Sequence, residues 1–239
     1  MNPTQESQMN CTCTSKRRVG LAAAILFIGI TTVLLLPSSG SAGGKLSPPK
    51  LQSSQAACAG YAVEKRAFMV SRQRVEGESC SVSTRIEEVG KTLVLEASFQ
   101  PTSLDSGDRR RDEHVAGVLS SKRHKDIRFT SQKLAANEFA QWASSKHPKP
   151  LNVPGKLSVG GRTVPITFSV IRNSRGLAGV VYTSFSKLGL EPPNAGGGVV
   201  AKVYDPLTIA FRVRLDKVDL SKAPVLRASL EAKSEGGEG

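Results

Sequence analysis

The chain has 239 residues, enough for one sizeable domain with appendages, and 39% of them are hydrophobic, which supports a packed core. Aromatic residues are only 5%, with a single tryptophan, which argues against a platform of stacking rings for single-stranded nucleic acid. The formal net charge of +13 suits anionic partners such as phospholipid headgroups, envelope polymers or a phosphorylated ligand. It equally describes a solvated basic surface, because the basic residues are spread along the chain.

Residues 1–18 are polar and end in Ser15-Lys16-Arg17-Arg18. The uncharged run Val19–Leu36 follows, and then the small, turn-forming Pro37–Ala42. A positive segment, an apolar segment and the small-x-small site Gly40-Ser41-Ala42 predict an export signal over 1–42, cut after Ala42. An apolar run of 18 residues is also just long enough to remain as a membrane anchor. Either way Lys16–Arg18 stay cytoplasmic and the remainder is exported, to the periplasm or to the outer face of the inner membrane. The exported part keeps a charge of +11, since only Lys16, Arg17, Arg18 and Glu6 are removed. Export also separates the chain from most nucleic acid, which is not expected as a partner.

Cys11 and Cys13 precede the apolar run, and no cysteine follows it directly, so a lipid-modified N-terminus is not indicated. Cys58 and Cys80 are the exported pair. They either bridge in an oxidising compartment or stay as two thiols. Without a histidine pair nearby they do not make a zinc ligand set, and no metal or cofactor is expected.

Residues 43–57 are rich in Gly, Ser and Pro and read as a flexible linker, with the domain over 58–220. Weak strand patterns lie around Tyr61–Val70 and Cys80–Ile86. Leu93, Leu95, Ala97 and Phe99 then share one face of a clear strand, with Glu96 and Ser98 on the other. Asp105-Ser106-Gly107 makes a turn, and Asp108 is placed to cap a short helix through Arg111, His114, Val115 and Leu119. Ile127–Ser131 is a short strand, and 132–150 a polar connection holding Trp142. Val153–Val159 and Val164–Val170 alternate around Gly160-Gly161, a good hairpin signal. Val180–Phe185 and Leu207–Leu215 add two more strands, separated by the flexible Pro192–Gly198. The tail 221–239 is polar and expected to be disordered.

This gives an all-β class with about six to eight antiparallel strands, one face apolar throughout, and one short helical connection. With too few helices to cover the apolar face, closure into a barrel is the simpler solution, and about eight strands enclose a small interior.

Four stretches, in order and in spacing, carry a resemblance: Ser103-Leu-Asp105-Ser-Gly107, Arg111-Asp112-x-His114-Val115, Ile127-x-Phe129-x-Ser131, and Gly155-x-Leu157-x-Val159-x-Gly161-x-Thr163-x-Pro165-Ile166. With Tyr204-Asp205-Pro-Leu-Thr-Ile209 as closing strand, residues 90–217 resemble the YceI-like family. The resemblance implies an exported, lipocalin-like barrel holding a polyisoprenoid or another long-chain lipid. The chain departs from the family pattern in two places. Phe185 stands where the family has an Arg, with Leu188 in place of the following Phe, and Lys125 replaces a Pro of the re-entering strand.

The inward candidates for a ligand-binding wall are Leu95, Phe99, Phe129, Leu157, Ile166, Phe168, Val181, Phe185, Ile209, Phe211 and Val213. Each one taken singly would serve equally well in a dry core; the resemblance favours a cavity for the set. Arg109, Arg110, Arg111 and Arg123, with Lys122, flank the helix and suit an anionic head group, or simply a charged surface turn. Tyr182 or Tyr204 is placed to donate to a ligand oxygen.

No catalytic residue is nominated. His124 and His147 lie in Lys-flanked stretches, and Asp112 and His114 are two apart, which on a helix do not face each other. No nucleophile-elbow, zincin or P-loop pattern occurs in the sequence. The alternative to a lipid carrier is a basic envelope protein that binds an anionic membrane surface or polymer around a dry barrel.

Overall fold

Alternation of mostly apolar inward and mostly polar outward residues governs the strands. The computed structural model describes residues 45–67, 71–120, 126–146, 148–173, 176–195 and 201–235. In chain order these form β1 (Ala57–Ala67), β2 (Ser71–Ser79), β3 (Ser83–Val89), β4 (Thr92–Phe99), α1 (Arg109–Leu119), β5 (Ile127–Ser131) and β6 (Leu134–Ala135). Then come α2 (Ala136–Ser144), β7 (Leu151–Val159), β8 (Arg162–Asn173), β9 (Gly176–Ser184), β10 (Asn194–Ala195), β11 (Ala201–Arg214) and α3 (Pro224–Glu235). Every pairing is antiparallel, in the order β2-β1-β11-β9-β8-β7-β5-β4-β3, with β6 beside β4 and β10 beside β11.

The two edge strands, β2 and β3, are consecutive in the chain. Only residues 80–82 separate them, a link that reaches at most about 14 Å. The sheet must therefore curl until its edges approach, giving a half-barrel. No ladder joins the two edges among the described residues, so the closure expected from the sequence is not completed by strand pairing. The seam is filled instead by the segment after β4. Ser103 Oγ meets Ser79 Oγ at 2.6 Å, and Glu78 and Asp105 exchange backbone hydrogen bonds of 2.9 and 2.8 Å. Cys58 and Cys80 form a disulfide that ties β1 to the link between the edges. With a sequence separation of 22, such a loop stabilises the fold by about 3 kcal/mol in the chain-entropy account.

The segment read as a flexible linker is fastened along the outer face. Thr208 Oγ1 donates to Leu46 O at 3.0 Å, Arg74 Nη2 to Ser47 O at 2.7 Å, and the Lys50 and Gln52 amides to Glu76 and Glu78. Pro49 is buried, and Leu51 lies so close over Gly60 that a Cβ there would sit 2.7 Å from it. The outward residues of β1 and β11 are correspondingly small and buried: Cys58, Ala62, Thr208 and Ala210.

Among the described residues there are three α-helices rather than the single one expected. In α1, Asp108 is the N-cap, accepting from the Arg111 amide at 3.2 Å, as the sequence predicted. The polar connection contains α2, whose Ala136, Phe139, Ala140 and Ala143 are buried. The tail predicted to be disordered forms α3, which begins at a proline and buries Leu226 completely. Its first turn is capped by Glu88 of β3, whose carboxylate accepts from the Val225 and Leu226 amides at 3.1 and 3.0 Å. Ser229 Oγ donates to Ala140 O of α2. Both α2 and α3 therefore sit at the β3–β4 turn, at the opposite end of β4 from α1. The hairpin β7–β8 turns on Gly160 and Gly161, both with positive φ (57° and 79°), as its Gly-Gly pair predicted.

Residues 1–44 lie outside the described residues, and with them the signal or anchor and Cys11 and Cys13. No helix among the described residues is long and apolar enough to cross a membrane.

Candidate functional site: an apolar cavity with a basic opening

The half-barrel encloses a cavity of about 460 Å³, within the range of small-molecule sites. Its wall is almost wholly apolar. Leu95, Phe99, Phe129, Leu157, Phe168, Phe185, Ile209, Phe211 and Val213, nine of the residues nominated from the sequence, line it. Ile166 and Val181 do not. Both face inward on their strands, but they are absorbed in side-chain packing beside the cavity.

The cavity stays hollow because of glycines. Phe211 of β11 pairs across from Gly179 of β9, and Tyr61 of β1 across from Gly77 of β2. A Cβ on Gly179 would lie 2.2 Å from the Phe211 ring, and one on Gly77 would lie 2.5 Å from the Tyr61 ring. Gly155 of β7 receives the Phe129 ring in the same way, at 2.5 Å. Each ring lies down over a strand that offers no side chain beneath it, instead of projecting into the interior. Phe168 joins the Phe129 and Phe211 rings edge-on, at centroid distances of 5.0 and 5.1 Å, an arrangement that aromatic quadrupoles favour.

One end is shaped by β9 and β11. Asp205 accepts from the Ser186 amide and hydroxyl at 2.9 and 2.7 Å, and its carbonyl accepts from the Phe185 amide. These bonds fix the helical turn Ser186–Leu188, which delivers Phe185 and Leu188 to the cavity wall. Slight burial pushes the Asp205 carboxyl upward, but the bonds from Ser186 outweigh it and hold the group below its ordinary value. The ladder with β1 shifts register here, between Val63 and Lys65. Pro206, which has no N–H to donate, stands in that irregular stretch of β11.

The seam segment and α1 supply the polar part of the cavity. Ser106 links two side chains of α1. Arg111 Nε donates to Ser106 Oγ at 2.7 Å and Arg111 Nη2 to Ser106 O at 2.6 Å, while the Asp112 carboxylate accepts from the Ser106 amide and hydroxyl. Beside this cluster stands Tyr61, whose hydroxyl is buried without a hydrogen-bond partner. Burial first, and the nearby Asp112 charge second, raise its pKa. Lys65, Asp108, Arg110, Arg111 and His114 line the cavity, together with the apolar Val115, Val118 and Leu119 of α1.

The head-group candidates thus separate. Arg110 and Arg111 reach the cavity; Arg109 is turned outward, 91% exposed, and pairs with Glu113 at 2.9 Å. Arg123, with Lys122 and Lys125, lies outside the described residues. Tyr182 and Tyr204 do not line the cavity: Lys45 lies over the first ring, Arg72 over the second. Of the three tyrosines it is Tyr61 that lines the cavity. Its signal was present in the sequence, in the alternation Ala59, Tyr61, Val63, Lys65, but small outward residues made that strand look weak.

Residues 53–215 match the family model of the YceI-like domain. Among solved structures, BcnA of Burkholderia cenocepacia is similar at 20% identity, over 64% of this chain and 93% of that one, with a TM-score of 0.44. A polyisoprenoid binding domain from Saccharophagus degradans, implicated in plant cell wall breakdown, is 11% identical over 66% of this chain and 95% of that one, with a TM-score of 0.47. The YceI protein of Campylobacter jejuni is 15% identical over 65% and 82%, with a TM-score of 0.33. No curated protein matches the chain.

Proposed function

Because this chain belongs to the YceI-like family, whose model covers residues 53–215, we propose that it is a binding protein that holds a long apolar molecule inside the half-barrel. The ligand class is a polyisoprenoid or fatty-acyl lipid, and the role is storage or transport outside the cytoplasm. The observation that carries this reading is the cavity of about 460 Å³, walled by aromatic and aliphatic side chains and kept open by glycines under the rings. Such a site needs no catalytic group. Removing about 300 Å² of apolar ligand surface from water contributes roughly 7 kcal/mol, before the ordering of the chain is subtracted. Export is supported by the positive, apolar and small-residue succession over 1–42 and by the Cys58–Cys80 disulfide, which suits an oxidising compartment.

The test is mass spectrometry of an organic extract from the folded protein, purified without detergent from the compartment to which it is exported. A stoichiometric prenyl or acyl species is expected. An extract that stays empty, even after the protein has been offered a polyprenol and hexadecanoic acid, overturns the reading. Salt-dependent adhesion to anionic vesicles alongside an empty interior would then favour the basic surface as the working part.

A further inference from the structure

Three basic side chains are among the residues that line the cavity, one from β1 and two from α1. They are Lys65, Arg110 and Arg111. Two carboxylates also line the cavity, and the charges of Lys65 and Arg111 act on the one of Asp108. Glu96 belongs to the outward alternation of β4, and Asp108 is the N-cap of α1. Among the described residues neither Lys65 nor Arg110 forms an ion pair with a carboxylate within 4.0 Å. Arg111 is held in place by Ser106, so its guanidinium is fixed before any ligand arrives. The Tyr61 hydroxyl adds a buried donor that makes no hydrogen bond within 3.5 Å, although Ser106 lies close beside it.

We propose that Tyr61, Lys65, Arg110 and Arg111 form a head-group site for an oxyanion, carboxylate or phosphate, carried by a long-chain lipid whose tail fills the apolar cavity. The proposal rests on the reading of the cavity as a lipid site and adds a chemical selection to it. A neutral head would leave the basic groups unused. An oxyanion accepts from the phenol and meets Lys65 and Arg111, which are half-buried, so that charge-assisted hydrogen bonds are strengthened, with the exposed Arg110 beside them.

The experiment compares three probes of equal chain length, hexadecanol, hexadecanoic acid and hexadecyl phosphate, by calorimetric titration of the delipidated full-length protein. At least one of the two anions should bind at least about tenfold more tightly than the alcohol, and the tighter anion identifies carboxylate or phosphate as the head. In Lys65→Met/Arg110→Met the ratio of anion to alcohol affinity should fall toward one, and Tyr61→Phe should lower it by a smaller factor. Equal binding of all three probes by the natural protein, or an unchanged ratio in the double variant, overturns the head-group site and leaves the cavity reading standing. Failure of all three probes to bind overturns both.

Discussion

Replacing Gly179 by alanine asks whether the glycines beneath the rings set the capacity of the cavity. The new Cβ would lie 2.2, 2.4 and 3.0 Å from three atoms, all of them in the Phe211 ring. An ordinary contact begins near 3.4 Å, so the ring must retreat by about 1.2 Å, and the strand behind Gly179 leaves it only the cavity to retreat into. Room for about one to two methylenes of ligand is then lost, about 0.8–1.6 kcal/mol, or roughly four- to fifteen-fold in Kd. Stability should change little. The overpacking cost of about 1 kcal/mol is relieved by the open cavity and offset by the lower entropy of the unfolded chain, about 0.4–1 kcal/mol. Gly155→Ala is the control, because its Cβ would meet the Thr130 carbonyl oxygen at 2.5 Å as well as the Phe129 ring. Backbone in the β5–β7 ladder cannot step aside, so here the fold should lose about 3 kcal/mol. Titration with fatty acids of increasing length, alongside thermal unfolding, separates the two effects. If Gly179→Ala takes the same chain lengths with the same affinity as the natural protein, or unfolds as readily as Gly155→Ala, the glycines do not set the capacity.

Leu226→Ala should destabilise the protein by about 2–5 kcal/mol, as for other fully buried leucines; a melting curve identical to that of the natural protein would mean that the C-terminal segment is not docked. The Asp205 carboxyl, held below its ordinary value by Ser186, contributes stability that is fully present above its unfolded pKa and lost as pH falls through the folded one. As pH falls below the ordinary carboxylate range the natural protein should therefore lose stability more steeply than Asp205→Asn. Parallel acid-denaturation curves would show that the bonds to Ser186 do not favour the ionised form.

Much of this was legible in the chain. The period-2 alternation of β4, β7, β8 and β11 fixed which residues face inward, because a strand has only two faces and one of them must leave water. The Gly160-Gly161 turn and the Asp108 cap are local geometry, and local sequence specifies them. Other elements were hidden for identifiable reasons. β2 reads as a polar segment because an edge strand needs few apolar residues once its backbone is paired, and one of its inward positions, Gly77, carries no side chain at all. The strap at 45–56 and α3 look like linker and tail by composition. They are ordered by partners distant in sequence: Glu76, Glu78 and Thr208 for the first, Glu88 and Ala140 for the second.

The site divides along the same line. By alternation alone the sequence determined the apolar set, nine of whose eleven members reach the cavity. Only the tertiary structure decided that the set surrounds space rather than filling it. That outcome depends on Tyr61, Phe129 and Phe211 each meeting a glycine on a neighbouring strand, a matter of register between strands as distant as β9 and β11. It likewise decided that Arg110 and Arg111 border the cavity while Arg109 points to solvent, because a helix gives successive residues different directions and only its docking on the half-barrel selects which of them faces in.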